Sequence, residues 1–333
     1  MRQPRILADA GQSGLYHVCS RVVDRRVIFG ERERRKFMQI IKGGAAFAGI
    51  DLVSWCLMGN HFHLLVRVQP LDADSFSDEE VLARMQHIYS PQRMRHLSGI
   101  WERMESASAR RVFLAPYRAR MGSLSDFVKT LKQRFTQWFN CRNDREGTLW
   151  EGRFHSVMLS HNGGLDGGGL GLLARFVAGY IDLNPVRAGV VENADDSDWS
   201  GFGAALRGDE EGVFGIRLLW GKEATLNKDD DALLAMHRSM LERALFRDRA
   251  QTVDGDLSWK RGMKEGEKTR NIPGASRSSA GNQSTDPPGA RPPEMSVVSE
   301  PRELNLFLRM GERCEALTKG RSLGPDWVKS QVG

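Results

Sequence analysis

His61-Phe62-His63 is the sharpest local feature of the chain. Alternation along an extended strand sends residues i and i+2 to the same face, so the two imidazoles would point the same way. Two nitrogens offered from one strand face suit a divalent metal. The same spacing also fits a plain structural reading, with Phe62, Leu64 and Val66 in a core and both histidines on the polar side of a half-buried strand. Two histidines leave a metal site incomplete, so a third ligand and a reacting group have to come from elsewhere in the chain. Cysteine does not supply them. Cys19, Cys56, Cys141 and Cys314 are scattered without C-x-x-C spacing and read as reduced or incidental thiols.

A second set of residues points to a polyanion. Between Arg84 and Arg153 there are 14 Lys/Arg against 6 Asp/Glu, a local excess of +8 that exceeds the +6 of the whole chain. Trp101, Tyr117, Phe135, Trp138, Phe139 and Trp150 lie among these basic groups. Cations neutralise phosphates and aromatic faces stack unpaired bases, so the mixture suits single-stranded nucleic acid. A solvated basic surface over core aromatics fits the composition equally well. Within the stretch, Arg153 is a candidate phosphate contact and Trp150 a candidate base-stacking residue, or else a tryptophan packed under the sheet. Lys132, Arg134 and Arg142 are further candidates for backbone contacts.

The elements that must position these residues are legible in part. Residues 15–29 read as a strand followed by a turn or a second strand portion. Over 31–48 the period becomes helical through Phe37, Ile40, Ile41, Gly44, Phe47 and Ala48. The runs 51–58 and 61–68 are β-prone, and Gly59-Asn60 between them predicts a tight hairpin turn. An acidic, turn-rich segment and a helical insertion occupy about 70–120. A helix near 123–141 follows, its apolar stripe running from Leu124 to Phe139 with Ser123 or Ser125 as cap. Residues 153–160 predict a last strand. The order strand, helix, strand, strand, helix, strand predicts a ferredoxin-like α+β fold, a split βαβ sheet with helices on one face.

Further along, six glycines fall between Gly163 and Gly171 and read as a hinge, because no G-K-[ST] follows them. Residues 172–183 regain helical period, and Asn184-Pro185 is expected to end that helix. The domain reading is a catalytic domain over 1–205, a helical extension over 206–257 and a disordered linker over 258–302, then a short C-terminal segment over 303–333. The linker is rich in Ser, Pro, Gly and Arg and nearly free of large apolar residues. No apolar run approaches the roughly 20 residues that span a bilayer, and the N-terminus lacks the apolar core of a secretory signal. A cytoplasmic protein, monomer or homodimer, is the expectation.

Four ordered motifs resemble one known family. They are Tyr16-His17, then Cys56 to Val66 (CLMGNHFHLLV), then Gly147 to Phe154 (GTLWEGRF), then Tyr180 to Gly189 (YIDLNPVRAG). Together, over about residues 12–203, they are similar to the single-tyrosine HUH transposases of insertion-sequence type, nearest the REP-associated tyrosine transposase branch. The resemblance implies an endonuclease and strand transferase for DNA transposition and recombination, acting on single-stranded DNA beside a folded hairpin. It implies Mg²⁺ or Mn²⁺ held by His61 and His63. It also implies a 5′-phosphotyrosine intermediate with release of a 3′-hydroxyl.

The tyrosine is named by the same resemblance. The aromatic helix over 123–141 contains none, and of Tyr16, Tyr89, Tyr117 and Tyr180 only Tyr180 matches the Tyr-x-x-x-Asn-Pro pattern. If the helix persists to Asn184, the i,i+4 spacing puts Tyr180 and Asn184 on one face. The Asn184 amide oxygen would then be a third, hard ligand suited to Mg²⁺ or Mn²⁺. Three other readings stay open: a hairpin or single-stranded DNA-binding protein that does not cut, a metal phosphoesterase that uses water, and a scaffold with an incidental histidine pair. The long segment between His63 and Tyr180 exceeds that of compact family members, and nothing past residue 205 matches the pattern.

Overall fold

A computed structural model describes residues 7–8, 11–161, 170–227 and 229–246. The chain divides into two compact units, Met1–Glu242 and Arg243–Gly333. In the second unit the described residues, 243–246, are helical. The expected linker, the expected C-terminal segment and most of the glycine hinge lie outside the described residues.

The centre of the first unit is a four-stranded antiparallel sheet of β1 (Gly14–Arg21), β2 (Ile50–Leu57), β3 (His61–Val68) and β4 (His155–His161). The order is β2-β3-β1-β4, the order of a split βαβ unit. β1 sits between β3 and β4, with Arg21 opposite His61, Cys19 opposite His63 and His17 opposite Leu65. β2 and β3 form a hairpin closed by Met58 N–H donating to the His61 carbonyl. The Gly59-Asn60 turn is there, but neither residue takes a positive φ. The turn is held from outside instead. The Gly59 carbonyl accepts from Ile28 and Phe29, and the Asn60 carbonyl accepts from Val22.

Two helices cover one face. α1 (Glu31–Ala48) starts with Glu31 and Glu33, charges that suit a helix N-terminus, and stops at Gly49 with φ 67°. The helix α5 (Leu124–Arg142) is capped by Ser123, which accepts from Asp126 N–H. It buries Leu124, Phe127, Val128, Leu131 and Phe135, the stripe its sequence predicts. α1 and α5 cross closely at Gly44, where a Cβ would meet Leu131 at 2.9 Å. Phe62, Leu64 and Val66 of β3 point into this core, each fully buried. Phe37 and Phe135 pack against one another there, with Phe62 also against Phe37. The other side of β3, which carries His61 and His63, therefore faces away from this core.

The insertion consists of α2 (Asp78–Met85), α3 (Pro91–Glu102) and α4 (Ala107–Arg118), each with a serine accepting a backbone N–H at its N-cap. Arg118 is buried and ties it together, donating to the carbonyls of Ala73 and Phe76 and to Asp78.

α1 and α5 take the single face expected of the helices, and further helices add a layer on the other face. α6 (Gly171–Asp182) lies against β2 and β3, with α8 (Gly201–Leu206) and α9 (Glu210–Asn227) against β2. α7 (Asn184–Arg187) follows α6 directly. Pro185 does not push the chain out of the helical region. Asn184, the residue before it, begins α7, and proline occupies the first turn of that helix, where its missing N–H costs nothing. The last helix of the unit, α10, covers residues 230–242. Asp182 is the joint of this layer. Its carboxylate accepts from Ser54 Oγ of β2 at 3.2 Å and from Phe202 N–H of α8 at 3.2 Å. His237 Nε2 of α10 completes the set at 3.0 Å.

Candidate active site

The face of β3 turned away from α1 and α5 is the face α6 covers, and the histidine pair lies there. His61 is half-buried and His63 fully buried. Their rings stand nearly perpendicular with centroids 5.1 Å apart. His61 Nδ1 is 2.7 Å from Asn60 Oδ1, a contact in which the imidazole N–H donates and Nε2 remains for another partner. Nε2 of His63 is buried and has no hydrogen-bond partner among the described residues.

Tyr180 reaches this spot from α6. Its ring centroid is 6.0 Å from that of His63, edge to face, although more than a hundred residues separate them in sequence. Asp182, two residues on, pins the C-terminal end of α6 to β2. The side chain of Tyr180 is 8% exposed, and the guanidinium of Arg187 sits 5.4 Å from its ring centroid. Asn184 lies one helical turn beyond it. Its amide nitrogen donates to the Tyr180 carbonyl at 3.0 Å, which commits the nitrogen to the helix.

His17 of β1 joins the group and was not among the site residues expected from sequence. Its Nε2 is 3.0 Å from His63 Nδ1, and its ring centroid is 6.2 Å from that of Tyr180. It stands beside the site only because β1 pairs with β3 in this register, which local spacing does not reveal. Arg187 was likewise visible only as part of a motif.

Burial sets the charge state. It lowers the pKa of His17 from 6.5 to about 4, and that of His61 to about 4 with a smaller contribution from Arg21. His63 is pushed well below 6.5, first by burial and then by repulsion from the charge that His17, His61 and Arg21 carry when protonated. All three imidazoles are therefore neutral at pH 7, the form in which imidazole ligates a metal. Burial pushes the Cys56 thiol up, so this cysteine, opposite His63 on β2, stays protonated and is no thiolate ligand. Among the described residues no three His, Cys, Asp or Glu side chains converge as a metal cage.

The residues expected to contact DNA separate into two groups. Lys132 and Arg153 line an open groove of about 780 Å³ between α5 and residues 148–154, together with Lys129, Gln133 and Gln137. Next to the groove, Glu151 N–H donates to the carbonyl of Arg21, the residue opposite His61. Arg142 is exposed near the end of α5. Arg134 instead turns to the insertion, its guanidinium 5.1 Å from the ring centroid of Tyr89. Trp150 does not present its face to a base. It is 5% exposed and packs against Phe62 and Phe37, and its indole N–H donates to the Lys132 carbonyl and Thr136 Oγ1. Burial of its large apolar surface in the aromatic core outweighs what a solvent-facing ring would gain.

Residues 12–75, the segment containing β1, α1 and the histidine strand, match the family model described as "Transposase IS200 like". That segment is similar to the IS200-like transposases. Among solved structures, that of a REP-associated tyrosine transposase bound to a REP hairpin is similar over 62% of this chain and 87% of its own, at 15% identity and a TM-score of 0.39. No curated protein matches the chain. The IS200-like segment contains both strand histidines and His17, while Tyr180 and Asn184 lie outside the matched residues. No helix among the described residues is long and apolar enough to cross a membrane.

Proposed function

We propose that the chain cleaves and rejoins single-stranded DNA, with Tyr180 as the nucleophile and with His61, His63 and Asn184 holding Mg²⁺ or Mn²⁺. The observation that carries this reading is the meeting of Tyr180 with His63, edge to face at 6.0 Å, on the sheet face opposite the core. The family match over residues 12–75 associates the chain with DNA transposition.

The residues fit a divalent cation. Two imidazoles are neutral at pH 7 because of burial, one of them has a buried nitrogen with no partner, and an amide oxygen lies one turn from the tyrosine. The amide oxygen is a hard donor suited to Mg²⁺ or Mn²⁺. When bound, the cation supplies positive charge that makes a phosphate more electrophilic and offsets charge built up in the transition state. The chain's own groups do the rest. Tyr180 gives up its phenol proton as its Oη forms a bond to phosphorus and the bond to the 3′-oxygen breaks, and the leaving 3′-oxygen takes up a proton. Storing the 5′-phosphate on tyrosine keeps the step reversible, so a 3′-hydroxyl of the same or another strand can expel the phenolate without ATP. The low exposure of Tyr180 keeps water from competing for that ester. Lys129, Lys132 and Arg153 along the groove offer a cationic path for the incoming strand, and Gln133 and Gln137 offer amides to its bases.

The test is a suicide assay with labelled, hairpin-flanked single strands and Mn²⁺. A covalent protein–DNA adduct on denaturing gels is expected from the wild type and none from Tyr180→Phe. An adduct that survives Tyr180→Phe removes the nucleophile assignment. Binding without cleavage points to a DNA-binding protein that does not cut, and cleavage without adduct to a phosphoesterase that uses water.

A further inference from the structure

The rings of His17 and His63 are nearly parallel, at 17°, yet they do not lie face on face. Their centroids are 5.2 Å apart while His17 Nε2 and His63 Nδ1 are 3.0 Å apart. The larger distance is about the nitrogen–nitrogen separation plus one ring radius at each end, so the rings meet edge to edge along one line. A lone pair lying in the ring plane and aimed along an N–H is the geometry of a good hydrogen bond. Two imidazoles converging on a shared cation would bend toward a third point, which brings their centroids closer at the same nitrogen separation.

We propose that His17 is a positioning residue that fixes the tautomer of His63, placing the His63 proton on Nδ1 and leaving the Nε2 lone pair for the metal. The proposal rests on the metal reading above and assigns the residue that prepares the site. A neutral imidazole carries one proton for its two nitrogens. If that proton sat on Nε2 of His63, a buried N–H would have no acceptor. With the proton on Nδ1 it is donated to His17 Nε2, and His17 in turn carries its own proton on Nδ1. Metal-binding histidines generally donate their second ring N–H to a fixed acceptor, which orients the ring and sets its tautomer. Here the acceptor is a third imidazole delivered by the neighbouring strand, since β1 and β3 pair with His17 diagonal to His63.

The experiment uses the full-length, metal-free protein isotope-labelled at histidine nitrogen, with long-range proton–nitrogen NMR reporting which nitrogen of each ring is protonated. Wild-type His63 is expected as the Nδ1–H form. In His17→Ala that preference is lost, and in His17→Gln, whose amide oxygen can accept, it is restored in part. Mn²⁺ affinity by calorimetry falls by about tenfold to a hundredfold in His17→Ala and by less in His17→Gln. Circular dichroism establishes that each variant is folded, and His17→Gln carries the test if His17→Ala is not. Wild-type His63 protonated on Nε2, or a tautomer unmoved in a folded His17 variant, overturns the assignment. So does pulsed EPR of the Mn²⁺ complex showing three coordinated imidazoles, which would make His17 a ligand itself. Failure of the wild type to bind Mn²⁺ overturns the metal reading instead, and the metal-free tautomer still decides what His17 does to His63.

Discussion

Each imidazole of the site is held neutral by the place the fold gives it, and this has a thermodynamic consequence. An unfolded chain protonates His17 near pH 6.5, whereas the folded one resists protonation until about pH 4. Between those values the unfolded state binds more protons, so folding stability falls as pH falls through this window and is flat above it for this group. The difference at His17 alone corresponds to about 3 kcal/mol. His61, lowered to about 4, and His63, lowered further, add in the same direction. Urea unfolding at pH 7.5, 6 and 5 in the absence of metal should show a steady loss of stability below pH 6.5. Equal midpoints at pH 7.5 and 5 would contradict the buried, neutral histidines. The role of Trp150 is likewise set by where the fold places its ring. From sequence it was either a base platform or a core residue, and the burial of its ring and the two acceptors of its N–H make it a core residue.

At the scale of elements, the placement of Tyr180 depends on how α6 is fastened. α6 has an apolar face, but apolar packing alone tolerates sliding, and a one-turn slip would carry the tyrosine away from the histidines. Asp182 prevents this through three directional bonds, to β2, α8 and α10. The carboxylate is 1% exposed and His237 is fully buried, so removing one partner strands the others in a medium that cannot solvate them. Asp182→Ala is expected to destabilise the protein by about 3–5 kcal/mol, the cost of breaking a buried paired group. Thermal unfolding measures it, and a loss below about 1 kcal/mol would show that the joint is dispensable. The helices after residue 200 thus have a stated role. Although no motif marked them in the sequence, they hold the tyrosine-bearing helix against the sheet.

At the scale of the whole unit, opposite faces of one sheet do different work. One face buries the aromatic core under α1 and α5, and the other carries the histidines under α6. The groove beside α5 is the path proposed for the DNA strand. Lys129 and Arg153 are exposed there. Each cation that neutralises a phosphate of a single strand adds about 0.7 to the log–log slope of affinity against salt. The double variant Lys129→Ala/Arg153→Ala should therefore lower the slope by about 1.4, measured by fluorescence anisotropy over a range of salt. An unchanged slope would place the strand elsewhere.

The strands and helices around the site were legible residue by residue, because period and caps are local properties: the stripe of α5, the serine cap at its start, and the alternation that puts His61 and His63 on one side. The identity of Tyr180 and Asn184 as a pair was legible only through a motif, since nothing local distinguishes a reacting tyrosine from a packed one. Three things were decided by tertiary structure alone. Strand register brought His17 to His63, and register is set by pairing across the sheet, which no window of sequence contains. The competition between core and solvent for Trp150 was settled by rings delivered from α1, β3 and α5. The meeting of Tyr180 with His63 required α6 to lie on the face that the ferredoxin-like pattern leaves open, and that placement is fixed by Asp182 reaching partners at positions 54, 202 and 237. Local sequence specifies which residues can form a site; only long-range packing specifies that they do so together.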